Sequence, residues 1–229
     1  MAVGVGTSTA QTPLNTNFAG LKRFVANYVQ GADQPSILGV AGDAITAGID
    51  ILNTKLWNWS IKTQTITTVS SDADYSLNAD FKKPRKLFRN DTSGNRTGWL
   101  NFKEPKAFMD QHPAAISDSV PGVYTVINPT ANPVLLLNFP PAADWVTSYP
   151  TLTLYYYSRV QHFGGNSQTM SDIGAPPEVW TFLGWYGRWD LAATRSDSRS
   201  VERAFSMWNR MLRDLKADDG DVQTDWELP

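Results

Sequence analysis

At Ile61 the hydrophobic rhythm of the chain changes from helical spacing to β-branched, strand-like sequence, and near Pro177 it changes back. Before the first change, Phe18, Leu21, Val25 and Tyr28 follow helical spacing up to Gly31. Ala41, Ile45, Ile49, Leu52 and Leu56 form a second stripe, predicting a helix from about Ser36 to Trp57. Gly39, Gly42 and Gly48 weaken that helix by ~1 kcal/mol each relative to Ala. Glycines on the stripe would let another helix approach closely. A chain that starts and ends helical, with strands between, is read as a helical bundle closed by both termini around an inserted β domain.

The central stretch supports that reading. IKTQTITTV lacks Gly and Pro, and YSLNADF sets Tyr75 and Leu77 against polar neighbours. Further strands are predicted at 85–89, 98–100, 123–128, 134–139 and 152–158, with a short helix over 106–111. Turn chemistry lies between them: DTSGN, VPG, NPTANP, PPAAD and SYP. HFGGNSQTMSDIGAPP reads as a linker. PEVWTFLGWYGRWDLAAT then places Trp180, Leu183, Gly187 and Leu191 on one side of a helix. After a polar break at 196–198, Val201, Ala204, Phe205, Trp208, Met211, Leu212 and Leu215 form the clearest amphipathic face in the chain. The expected fold is α+β: a bundle of N- and C-terminal helices with an inserted antiparallel sandwich- or barrel-like β domain. The expected divisions are an N-terminal arm (1–16), the N-terminal bundle helices (17–60), the β domain (61–165), the C-terminal bundle helices (166–216) and an extended C-terminal arm (217–229).

Chemistry is sparse. The chain has no cysteine, which excludes disulfides, thiolate metal sites and thiol catalysis. No phosphate loop, dinucleotide fingerprint, zinc-protease motif or nucleophile elbow occurs. DADYSLNAD lacks the glycine and final glutamate of a calcium loop. The two histidines, His112 and His162, are far apart in sequence. No enzyme activity, cofactor or metal is expected. A net charge of −2 argues against a protein whose main task is gripping nucleic acid. No membrane segment is expected, and the first residues lack the basic start and apolar middle of a signal peptide.

Two features point to partners instead. Lys82, Lys83, Arg85, Lys86 and Arg89 cluster around Pro84, between Phe81 and Phe88. They read either as contacts to phosphate or an acidic protein, or as a solvated edge strand guarded by charge. The terminal ADDGDVQTDWELP sets Val222, Trp226 and Leu228 among Asp225, Glu227 and other acids. Burying Trp226 or Leu228 is worth roughly 1.5–3 kcal/mol each. The segment either folds back on its own bundle or docks on another protein, ordering as it binds. Among nine tryptophans, Trp57, Trp59, Trp185 and Trp189 are candidates for subunit interfaces or for core.

Three stretches carry a resemblance: LWNW running into IKTQTITTVSSDADYSLNADFKKPRKLF, VPGVYTVINPTANPVLLLNFPPAAD followed by LTLYYYSRV, and the PPEVW helix with the long last helix and its arm. In this order they resemble the head-to-tail adaptor (connector) proteins of tailed bacteriophages, of the short-tailed type. The chain departs in its longer DTSGNRTG loop and Trp-rich penultimate helix. The resemblance implies a structural virion protein of the neck, assembled in the host cytoplasm. It implies a homo-oligomeric ring, commonly dodecameric, between the portal protein and a tail nozzle or other tail component, with double-stranded DNA passing through unbound. By position, Asp225, Trp226, Glu227 and Leu228 would dock on the portal. The alternatives are a nozzle or head-closure protein, and a glycan-binding β module using Tyr155–Tyr157.

Overall fold

A computed structural model describes residues 17–29, 34–112, 117–194 and 198–219. These residues form two compact units, one of the residues up to Lys55 with those from Gln161 onward, the other of Leu56–Val160. The architecture is α+β, with helices flanking an inserted sheet domain in the sequence.

The first unit is built from α1 (Phe18–Ala26), α2 (Pro35–Leu52), α5 (Val179–Thr194) and α6 (Ser198–Asp218). Helix α1 starts where Asn17 Oδ1 accepts the Gly20 N–H at 3.0 Å, a side-chain N-cap. Helix α2 starts on Pro35, whose missing N–H costs nothing in the first turn. It ends at Leu52, a turn earlier than the Leu52/Leu56 spacing predicts. By length and composition α2 is apolar enough to cross a membrane, but here Ala41, Ile45, Ile49 and Leu52 are fully buried core residues.

Helix α5 packs against α1, α2 and α6. Glycines make that possible. A Cβ on Gly187 would lie 2.9 Å from Val25 Cγ2, and one on Gly184 would lie 2.8 Å from Phe24 Cε1. On α2, Gly48 faces Tyr186 with the same tightness, at 2.9 Å. Arg188 ties α5 to the end of α1. Its Nε and Nη2 donate to the Phe24 carbonyl at 3.1 and 2.9 Å, and its guanidinium lies 3.4 Å above the Phe24 ring. This places a cation at a helix C-terminus, where the dipole favours it.

The expected linker over 162–177 is an integral part of this unit. Phe163 stacks on Phe18 with ring centroids 4.4 Å apart, Lys22 Nζ donates to Asn166 Oδ1 at 2.6 Å, and Met170 and Ile173 are buried. Its glycines and polar residues disguise these anchors.

The second unit is a seven-stranded curled sheet with the order β1-β7-β3-β4-β5-β6-β2. The strands are β1 (Ile61–Thr67), β2 (Asp74–Ser76), β3 (Phe81–Asn90), β4 (Arg96–Phe102), β5 (Val123–Ile127), β6 (Val134–Leu137) and β7 (Thr151–Ser158). Every neighbouring pair is antiparallel except β4–β5, where Asn101 pairs with Val123 and Phe102 with Tyr124 in parallel. The long connection through α3 (Pro105–Gln111) gives the chain room to return in the same direction. Asn138 Oδ1 fixes the start of β5 by accepting from Gly122 N and Val123 N, both at 3.0 Å.

Strand β7 alternates half-buried and buried residues along its whole length, so Leu152, Leu154 and Tyr156 face the core and Thr153, Tyr155 and Tyr157 face the other side. Leu87, Leu100, Tyr124 and Leu135 complete the centre of that core. The PPAAD stretch, expected as a turn, leads into a short helix α4 (Ala143–Ser148), which buries Trp145. Trp57, expected at a helix end, is 2% exposed, and it stacks on Trp59 with centroids 5.8 Å apart.

Candidate docking surfaces

The basic stretch 82–89 divides between two places, because strand alternation and two bulges separate its side chains. The bulges fall between Phe81 and Lys83 and between Pro84 and Lys86 on the side facing β7. Beyond them, Lys86 pairs with Tyr155, and Phe88 lies opposite both Thr153 and Trp99. On this outward face Lys86 Nζ lies 4.5 Å from the Trp99 ring centroid and 5.3 Å from that of Phe88. Arg96, across the hairpin, covers Tyr155 at 4.9 Å and Phe88 at 5.4 Å. Trp99 is 60% exposed. The result is an outward layer of cations seated on aromatic rings, each contact worth ~0.5–1 kcal/mol at an exposed site.

Arg89 lies over Tyr149 at 4.7 Å, and the absent side chain of Gly98 leaves room for its guanidinium. Arg85 is exposed. Arg96 lies outside the sequence cluster and joins the surface only through the hairpin. The signal in the sequence is the DTSGN turn itself. There Asp91 Oδ1 accepts from Ser93 N at 2.9 Å and Asn95 N at 2.8 Å, Gly94 takes a positive φ of 81°, and the Asp91 carboxyl is held below its ordinary pKa by those bonds, that from the Asn95 N–H foremost.

Lys82 and Lys83 lie elsewhere, lining a cavity of about 340 Å³ with Leu56, Phe81, Pro84, Phe102 and Val126. Strand pairing explains the gap. Strand β3 pairs with β4 only from Leu87 onward, while the far end of β4 turns to pair with β5. The first half of β3 therefore parts from β4, and the opening lies between them. Burial, helped by Arg159, pushes the pKa of the Lys82 ammonium down to about 8.

In the helical unit the two predicted tryptophans occupy different clusters. Trp185 meets Phe24 and Tyr28 edge-on, with Arg188 4.7 Å from its ring centroid. Burial pushes the pKa of the Arg188 guanidinium down to about 10. Trp189 packs against Tyr186, Phe205 and Trp208, with centroids 5.4, 6.2 and 5.8 Å away. Both are half-buried. Of the apolar face predicted for α6, only Ala204 and Leu215 are buried. Phe205 is 48% exposed, and Val201, Trp208, Met211 and Leu212 are half-covered.

The histidines do not meet. His112 packs on Phe108 and Phe139 in the sheet unit, while His162 Nε2 lies 2.8 Å from Asp50 Oδ1 in the helical unit. Among the described residues no group of three or more His, Cys, Asp or Glu side chains could hold a metal ion. The predicted arm residues Val222, Asp225, Trp226, Glu227 and Leu228 lie outside the described residues, as do residues 1–16.

An α+β chain that carries a cation-and-aromatic sheet face and a half-covered amphipathic helix has the surfaces of a docking protein. The chain belongs to the SU10 adaptor protein family, whose model matches residues 16–227. It is a phage adaptor protein, a structural component of the virion neck and tail that works against other neck components. No curated protein matches the chain significantly.

Proposed function

We propose that copies of this chain form a ring, dodecameric in the virion, that joins the portal to the tail and extends the DNA channel for genome retention and ejection. The observation that carries this reading is α6. It has the strongest amphipathic pattern in the chain, yet only Ala204 and Leu215 of its apolar face are buried within one copy. A neighbouring copy would cover Phe205 and the half-covered residues beside it, removing apolar surface from water. Trp189 and Trp208, which pack on Phe205, would be stiffened by the same contact.

The cationic sheet face is suited to an acidic tail component such as a nozzle. Arg96 already lies over Tyr155, and Lys86 and Arg96 both lie over Phe88. That occupancy disfavours sugar stacking and with it a glycan-binding role. The C-terminal residues Val222, Asp225, Trp226, Glu227 and Leu228 would dock on the portal, with Trp226 as anchor. A net charge of −2 suits a channel that DNA must pass without arrest, because counterion release would otherwise hold it.

The test is a portal pull-down with the full chain and a chain ending before Ala217. The full chain is expected to bind the portal and the shortened one to lose binding. Equal capture of both would overturn the role of the arm, and capture of neither would favour a nozzle-like or head-closure position.

A further inference from the structure

The cavity between β3 and the end of β4 has an unusual lining. Three of its walls are prolines, Pro84, Pro105 and Pro129, which offer no N–H donor. Phe81, Phe102 and Val126 add only apolar surface. The donors in the lining side chains are the ammonium groups of Lys82 and Lys83, and Glu104 is the single carboxylate, at an exposed position. Walls this apolar offer few partners to the many hydroxyls of a sugar or nucleotide. The lining fits an apolar ring with carboxylates beside it. At about 340 Å³ the space is small, at the lower end of ligand-sized cavities.

One segment of this chain has that chemistry. Trp226 is the only one of the nine tryptophans with an acid on both sides, Asp225 and Glu227. No Lys or Arg follows Lys216, while Asp218, Asp219 and Asp221 lie between that lysine and the tryptophan. We propose that the cavity is a seat for the chain's own C-terminal segment, with the Trp226 indole against Phe102 and the prolines and with Asp225 and Glu227 directed to Lys82 and Lys83. Lys82 is partly buried beside Arg159, and a carboxylate next to a buried ammonium favours its charged form. The seat deepens the proposed docking role and rests on it for its purpose. It would hold the anchor out of water until the portal offers a better site, which suppresses premature contacts between free copies.

The test uses the full-length chain labelled with 5-fluorotryptophan and observed by ¹⁹F NMR, with the Trp226 resonance assigned through Trp226→Phe. The expected spectrum puts Trp226 away from the free-indole position and protects it from broadening by a soluble paramagnetic agent. The double change Lys82→Glu, Lys83→Glu is expected to return it to the free position and expose it to paramagnetic broadening, with the other eight resonances in place as the check on folding. Lys86→Glu, on the outward face, should leave Trp226 unmoved. A free Trp226 in the unaltered chain would overturn the proposal and leave the cavity to a residue of another protein. A protected Trp226 that ignores the double change would overturn it as well. Portal capture reads the docking role separately: the double variant is expected to retain it and Trp226→Ala to lose it.

Discussion

Replacing Gly187 with alanine tests the packing that presents α6 and the tryptophans of α5. Alanine favours a helix over glycine by ~1 kcal/mol. At Gly187 the new methyl would lie 2.9 and 3.3 Å from the two Cγ atoms of Val25 and 3.4 Å from Ile45 Cγ1. Val25 and Ile45 are both fully buried, and a valine side chain has little rotamer freedom with which to yield. Overpacking of this kind costs ~1–3 kcal/mol. Gly39, on α2, is exposed, and a methyl added there would have nothing within 4 Å, so Gly39→Ala carries the propensity gain alone. The propensity term cancels between the two variants. Gly187→Ala should therefore be less stable than Gly39→Ala by ~1–3 kcal/mol, and Gly39→Ala more stable than the parent. Urea unfolding followed by far-ultraviolet circular dichroism, at one protein concentration, reads the difference. A Gly187→Ala protein as stable as Gly39→Ala would refute the close approach of α5 to α1 and α2.

Phe205→Ala should cost the single copy less than ~1 kcal/mol, because about half the ring is in water already, but it should shift mass-photometry counts from rings to single copies. Trp226→Ala should weaken portal binding by ~2 kcal/mol or more, as loss of a hot-spot anchor does, measurable by titration calorimetry. Alkali should destabilise the fold in a defined window. Burial pushes the Tyr156 phenol up to about 12 and raises Tyr124 still further. The folded chain then keeps protons that the unfolded chain releases near pH 10, so stability is intact below that value and falls as pH rises from about 10 toward 12. Urea midpoints at pH 9 and pH 11 check it, and Tyr124→Phe should reduce the drop.

The alternation of apolar and polar residues made much of this fold legible. It located the change of structure at Ile61, the seven strand regions and the stripe of Trp180, Leu183, Gly187 and Leu191, all of which are buried. Gly48 was legible as a point of close helix approach, whereas Gly39 on the same helix turned outward. Strand direction is not written in alternation, so the parallel β4–β5 pair came only with the structure. The short helix α4 was hidden because Pro140 and Pro141 give a turn signal and six residues carry little periodicity. The cluster at 82–89 was visible as a run of charge. Its division into a ring-covered face and a cavity depends on the bulges around Pro84 and on partners from β4 and β7, which lie outside the run itself.

The most direct measurement is the rotational symmetry of the particle neck in cryo-electron micrographs, with the density fitted to this chain. The expected result is a closed dodecameric ring of this protein against the portal, with α6 faced by the adjoining copy and the C-terminal segment on portal density. A neck in which the chain is present as isolated copies, or in which α6 stays open to solvent within the assembly, would contradict it.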